Sequence, residues 1–253
     1  MPSTSRADTH SLPREPQRIT LGQSVRDDAS WLLKTMLAAF VLLAVGSALI
    51  GRIYVIPSGS MEPTLHGCQG CNGDRIAVEK VSYYFADPKP GDVVVFEGEP
   101  SWNTTYELQR SHNVFIRGLQ NLFAAAGLIQ GDANILVKRV IATEGQTVSC
   151  QAGDPGIMVD GQARTEPYVL QPPQNPISPE TGSLACGGDY FGPVTVPEDH
   201  IWVMGDNRTN SADSRAHLGD AEQGTIPVDN VRGKVRAIVM PLSRIGTVEH
   251  AHA

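Results

Sequence analysis

From Trp31 to Ile50 the chain reads WLLKTMLAAFVLLAVGSALI, an apolar run about as long as a helix needs to cross the hydrocarbon core of a bilayer. Lys34 can snorkel to the interface and Trp31 can anchor there. A buried core helix or a cleavable signal peptide are the alternatives. A signal h-region is shorter, lies nearer the N-terminus and precedes a small-residue cleavage site. Here Arg52, Ile53 and Tyr54 follow, so an uncleaved transmembrane helix over 29–51 is expected. Arg6, Arg14, Arg18, Arg26 and Lys34 precede or begin the run, whereas only Arg52 follows closely. The positive-inside rule then puts the N-terminus in the cytoplasm and the body outside, in a single-pass plasma membrane topology. Residues 1–28 are rich in Ser, Thr, Pro, Arg and Asp without apolar periodicity, and are expected to be a disordered cytoplasmic tail.

Beyond the anchor, the 25 glycines and 18 prolines of this 253-residue chain imply many turns and a mainly β body. Short apolar stretches follow turn signals at Arg75–Val78, Val93–Phe96, Ile135–Ile141, Ile157–Val159, Ile201–Met204 and Val235–Val239. Phe115, Leu119, Leu122, Phe123, Ala126 and Ile129 recur at helical spacing, which predicts a helix over about 114–129 whose apolar face packs on the sheet. The expected order is a first part of a β core at 52–148, a smaller β insertion at 149–200, a second part of the core at 201–242, and a tail at 243–253. The formal charge of −7 and the lack of a Lys/Arg-rich tract argue against nucleic acid as a partner.

Cys68, Cys71, Cys150 and Cys186 all fall on the outer side, where two disulfides are expected. Three connectivities are open; 68–71 with 150–186 is favoured, because a local pair leaves the distant pair to each other. A zinc site would need a second short Cys pair, which is missing, and nothing else resembles a metal cluster or a phosphate loop. No metal or cofactor is expected.

Two residues carry unusual chemistry. Ser60 lies in PSGSMEPTL (57–65), where Pro57 and Pro63 each fix a φ angle and Gly59 lets the backbone pass close to whatever the serine meets. A serine so framed is a turn residue or a nucleophile, and a nucleophile needs an adjacent base. Lys138 follows Ile135-Leu136-Val137 and precedes Arg139-Val140-Ile141, inside an apolar strand. A lysine normally titrates at about 10.4, but burial disfavours the ammonium, and roughly 3 kcal/mol of differential solvation makes it a hundredfold stronger acid. Arg139 is expected to take the solvent side, since successive strand residues face opposite ways. His66 and His112 sit in polar loops and His217 follows the SADSR run; none lies in a motif typical of a serine-protease base.

PSGSMEPTL, PGDVVVF (90–96), VKRVIATEGQTV (137–148) and VMGDNRTNSADSR (203–215), taken together, resemble the bacterial type I signal peptidases, with the HGCQGC and WVMGDNRTNSADSRAH segments most like actinobacterial members. The resemblance runs from the anchor to about Pro241. It implies a membrane-bound serine endopeptidase that removes signal peptides from exported preproteins, cutting after small residues of the Ala-X-Ala type. Its partners would be preproteins at the export machinery and the lipid bilayer. By the same resemblance Ser60 is the nucleophile and Lys138 the general base. The Ser58 hydroxyl and the Ser60 N–H form the oxyanion hole, Ser211 orients the lysine, and Asp213 and Arg215 form a supporting ion pair. Thr209 stands where some members have Asp.

Pro63, three residues after Ser60, excludes the Ser-x-x-Lys motif of penicillin-binding enzymes. A repressor-type Ser-Lys protease would carry a DNA-binding domain in place of the anchor, and a eukaryotic or archaeal-type signal peptidase would have His at position 138. A membrane-anchored β-domain that only binds export substrates would require Ser60 and Lys138 to be silent together.

Overall fold

The computed structural model describes residues 21–49, 51–68, 73–102, 113–125 and 134–251. Helix α1 spans Leu21–Leu49. Within it, Asp28–Gly46 is long and apolar enough to cross a membrane, and side chains such as Leu33, Met36 and Leu42 are exposed. That distribution suits lipid rather than a protein core. The helix begins at Leu21, inside the stretch expected to be disordered. Once the apolar run has nucleated a helix, adding a polar turn at its start costs little, so composition alone misplaces the boundary.

The rest is mainly β, with strands β1 (Gly51–Val55), β2 (Arg75–Glu79), β3 (Val93–Glu97), β4 (Ile135–Thr143), β5 (Thr147–Cys150), β6 (Met158–Val159), β7 (Gln162–Ala163), β8 (Gly182–Ser183), β9 (Gly188–Asp189), β10 (Phe191–Thr195), β11 (His200–Met204), β12 (Ile226–Pro227), β13 (Val231–Met240) and β14 (Gly246–Thr247). The main sheet runs β1-β2-β13-β3-β4-β11-β12, with β14 added to β13. A second sheet runs β10-β5-β6-β7, and β8 with β9 makes a small hairpin.

β3 and β4 lie in the middle of the main sheet, and both of its faces are covered there. Val93 and Val95 join the core of Tyr54, Ile56, Met61, Leu65 and Ile76, while Val94 and Phe96 join that of Trp102, Val140, Ile201 and Ile226. Alternate residues of a strand point to opposite faces, so a strand buried on both sides reads as a continuous apolar run. A third core, around Trp202, Ile141 and Phe191, fills the second sheet and contains Cys150 and Cys186. These two are disulfide-bonded, with Cα atoms 5.6 Å apart. Cys68 is also disulfide-bonded; its expected partner, Cys71, lies outside the described residues.

Two expectations about packing are corrected. Helix α2 (Val114–Ala125) forms where the periodicity places it, but Phe115 is 91% exposed and Val114, Ile116 and Leu119 are also exposed, so this part of its apolar face is not packed on the sheet. Residues 126–129 of the expected helix lie outside the described residues. Arg139 is not on a solvent side either: it is 1% exposed, because the face opposite to Lys138 is covered as well.

Candidate active site

β4 carries Lys138 and Arg139 between β3 and β11, with Val94 opposite Lys138 and Val93 opposite Arg139. Its β-branched flanks favour the extended chain, and the neighbouring strands remove both side chains from water. Ser60 lies on a single 3-10 turn, Gly59–Met61, that follows β1 and is pinned by the burial of Met61 and Leu65. Gly59 packs against the Glu62 side chain, so a Cβ there would sit 3.4 Å from the carboxyl group.

These two elements bring Lys138 Nζ to 2.8 Å from Ser60 Oγ. Lys138 is 3% exposed. Burial pushes its ammonium down to about 8, with Arg215 acting in the same direction and Asp213 and Asp206 against it. An amine held there is appreciably neutral near physiological pH and can accept a hydroxyl proton. The exposed Ser58 donates from Oγ to Ser60 Oγ at 3.3 Å, so its hydroxyl lies directly beside the serine oxygen that Lys138 also meets.

The loop after β11 supplies the rest of the surroundings. Asp213 accepts from the Gly205 N–H at 3.0 Å and is paired with Arg215 at 2.9 Å. Burial alone would raise the Asp213 carboxyl, but Arg215, the Gly205 N–H and Lys138 hold it below the usual carboxylate value. Ser211 is brought to the site without a bond to the lysine: its hydroxyl is buried and has no hydrogen-bond partner. It crowds Gly205 together with the Ser60 turn, since a Cβ at Gly205 would lie 2.3 Å from Ser211 Oγ and 2.4 Å from the Ser60 carbonyl oxygen.

The motif reading missed the roles of Asp206 and Asn207. Arg139 makes a two-pronged bond to the Asp206 carboxylate, at 2.9 and 2.7 Å, with Tyr168 stacked over its guanidinium at 3.9 Å. Thr64 Oγ1 donates to the same carboxylate at 2.5 Å, tying it to the segment that carries Ser60. The available signal was the GDN run itself, read as a motif but not as a set of partners. Thr209 accepts from the Asn175 N–H at 3.0 Å, an anchor for the 163–192 segment. Of the histidines, His66 is exposed, His217 stacks on Trp102 at 4.2 Å, and His112 lies outside the described residues. Among the described residues no cluster of His, Cys, Asp and Glu could hold a metal ion.

Residues 29–240 match the family described as signal peptidase, peptidase S26. The chain is 54% identical over 215 residues to signal peptidase I of Mycobacterium tuberculosis (strain ATCC 25618 / H37Rv), covering 83% of this chain and 72% of that protein. It is 50% identical over 211 residues to the probable signal peptidase I of Mycobacterium leprae (strain TN), covering 79% and 72% of the two chains. A solved signal peptidase I from Enterococcus faecalis V583 aligns with a TM-score of 0.34 at 21% identity, over 59% of this chain and 97% of that one.

Proposed function

This chain belongs to the signal peptidase family, peptidase S26, and on that premise we propose that it removes signal peptides by acyl transfer through a Ser60–Lys138 dyad. The observation that carries the proposal is the 2.8 Å approach of a buried lysine amine to a buried serine hydroxyl.

Neutral Lys138 takes the Ser60 proton as Oγ attacks the scissile carbonyl carbon. The negative charge that develops on the carbonyl oxygen is met by the Ser58 hydroxyl and the Ser60 N–H, and one such donor is worth about 3–4 kcal/mol in the barrier. Collapse of the tetrahedral intermediate breaks the C–N bond, and the Lys138 ammonium returns the proton to the leaving amine. That amine is the new N-terminus of the mature protein. Water, deprotonated by the same lysine, then attacks the ester, releases the signal peptide and restores Ser60. Asp213 and Arg215 set the field around the lysine, and Ser211 packs on Gly205 beside the Ser60 carbonyl. No step in this scheme calls on a metal or a cofactor.

The substrate is read as an extended segment with small residues three and one positions before the cut, in preproteins delivered by the export machinery. The enzyme is membrane-anchored by α1, and the distribution of Arg and Lys about that helix supports a cytoplasmic N-terminus and an extracytoplasmic body. We also read 52–148 and 201–242 as two parts of one catalytic core, with 149–200 inserted between them.

The test is cleavage of a preprotein in detergent by the full chain beside Ser60→Ala and Lys138→Ala. Each variant should be folded, membrane-bound and inactive. Near-normal cleavage by either would sink the dyad.

A further inference from the structure

The segment after β13 was expected to be a tail, and the family match ends at residue 240. Instead this segment is built into the body at several places. Gly246 and Thr247 pair with Ile238 and Ala237 as β14, and the Val248 N–H donates to the Arg236 carbonyl at 2.9 Å. Val248 is 6% exposed and belongs to the same core as Met61 and Leu65, the residues that pin the nucleophile turn. Arg244 grips the buried Asp74 carboxylate at 2.9 and 3.0 Å and donates to the Thr64 carbonyl at 3.3 Å. Asp74 in turn accepts from the His66 N–H at 2.8 Å. Further on, the Glu249 carbonyl accepts from Arg139 Nη1 at 3.1 Å, and His250 Nδ1 accepts from the Val93 N–H at 3.3 Å.

We propose that residues 244–250 form a strap that holds the Ser60 segment and the Lys138 strand in register, with Arg244 and Val248 positioning the first and the Glu249 carbonyl, through Arg139, positioning the second. The proposal rests on the dyad reading above. None of these residues touches the reacting atoms; they act through the groups they hold. Arg139 is the neighbour of Lys138 on β4 and the partner of Asp206, so a looser Arg139 leaves the Asp206 carboxylate less well neutralised. The charged groups that bear on Lys138 are Asp213, Asp206 and Arg215. A less neutralised Asp206 favours the ammonium, so loss of the strap should make Lys138 harder to deprotonate. A strap that merely adds stability would lower the amount of folded enzyme and leave that property alone.

The experiment uses the full-length protein in detergent micelles, acting on a preprotein, beside a chain ending at Ile245, Arg244→Gln and Lys138→Ala. Rates are normalised to folded enzyme measured by near-UV circular dichroism. The truncated chain should lose about tenfold or more in kcat, as small misplacements of reacting groups do. Its KM should change by less than about twofold, and the ascending limb of its pH profile should move to higher pH. Arg244→Gln should show a smaller loss of kcat, again at nearly constant KM. Unchanged kcat and pH profile in both strap variants, with Lys138→Ala inactive, would overturn the strap and leave the dyad standing. Cleavage by Lys138→Ala would remove the dyad and the strap with it. If the truncated chain does not fold, Arg244→Gln decides by the same split between kcat and KM.

Discussion

The backbone N–H of Asn207 donates to the carbonyl of Ser60 at 3.1 Å, while its side-chain amide donates to the Gly59 carbonyl at 3.0 Å and to Gln174 Oε1 at 2.5 Å. One residue thus fastens the Ser60 turn by two carbonyls and ties it to the segment between the second sheet and the β8–β9 hairpin. A turn of three residues has almost no hydrogen bonds of its own to hold it, so its position depends on bonds from outside.

Asn207→Ala should therefore leave the Gly59 carbonyl with the Glu62 N–H at 3.2 Å and without the amide that ties it to the loop after β11, a loss of about 0.5–1.5 kcal/mol. Turnover should fall more than substrate affinity does, because the turn places Ser60 Oγ rather than binding the peptide. Steady-state kinetics on a preprotein, with a urea melt for stability, separate the two effects. A change confined to KM would contradict this role.

Gly205→Ala is a sharper test of the same packing. The added Cβ would meet Ser211 Oγ at 2.3 Å, the Ser60 carbonyl oxygen at 2.4 Å and Ser211 Cβ at 2.6 Å, so the nucleophile turn and the Ser211 loop must move apart. The expected result is a folded but destabilised protein with a large loss of kcat. Gly205→Ala/Ser211→Gly relieves two of the three contacts and should recover part of the stability. If the single variant melts and turns over like the parent, the packing described between β11 and the turn is not that of the working enzyme.

Much of this arrangement was legible in the chain. Val93–Phe96 and Ile135–Ile141 announce buried strands through runs rich in Val and Ile, and a lysine in such a run marks itself. Arg139 was misread because alternation tells only that two neighbours face opposite ways; it does not tell whether the second face is also covered. That depends on Thr64, Asp206, Tyr168 and Glu249 arriving from four distant places. The short strands β7, β8, β9 and β14 were equally hidden, since two-residue ladders have no period to read. The C-terminal segment looked like a tail because a single buried Val248 among polar residues has no pattern.

Arg139 and Asp206 are 1% and 0% exposed, so breaking their pair leaves a buried charge unpaired. Arg139→Met should cost about 3–5 kcal/mol, a large fraction of the stability of a domain this size. Arg139→Met/Asp206→Leu removes both charges and should recover much of that loss in a urea melt. A double variant no more stable than the single one would show that the bonds to Gly91 and Glu249, which Arg139 Nη1 also makes at 2.9 and 3.1 Å, carry the effect instead.

The pH dependence follows from the lysine. Burial pushes Lys138 down to about 8, so the neutral base is the minor form below that pH and the major form above it. kcat/KM should accordingly rise with pH through about 8 and level off on the alkaline side, where the free enzyme's base is fully deprotonated. The sign for stability runs the same way over that window. The unfolded chain holds the lysine proton up to about 10.4, so between the two values it binds more protons than the folded one, and Lys138 makes folding more favourable as pH rises. Alkaline loss of activity below that upper value would therefore have to come from another group. A histidine base would instead give an ascending limb near 6.5. The measurement is a pH–rate profile in detergent micelles with stability followed in parallel, on the parent chain and on a variant with His66, His112 and His217 replaced. A limb that disappears in the histidine variant while Lys138 is intact would assign the base to imidazole and overturn the dyad; a limb near 8 that survives the replacement would leave the lysine as the base.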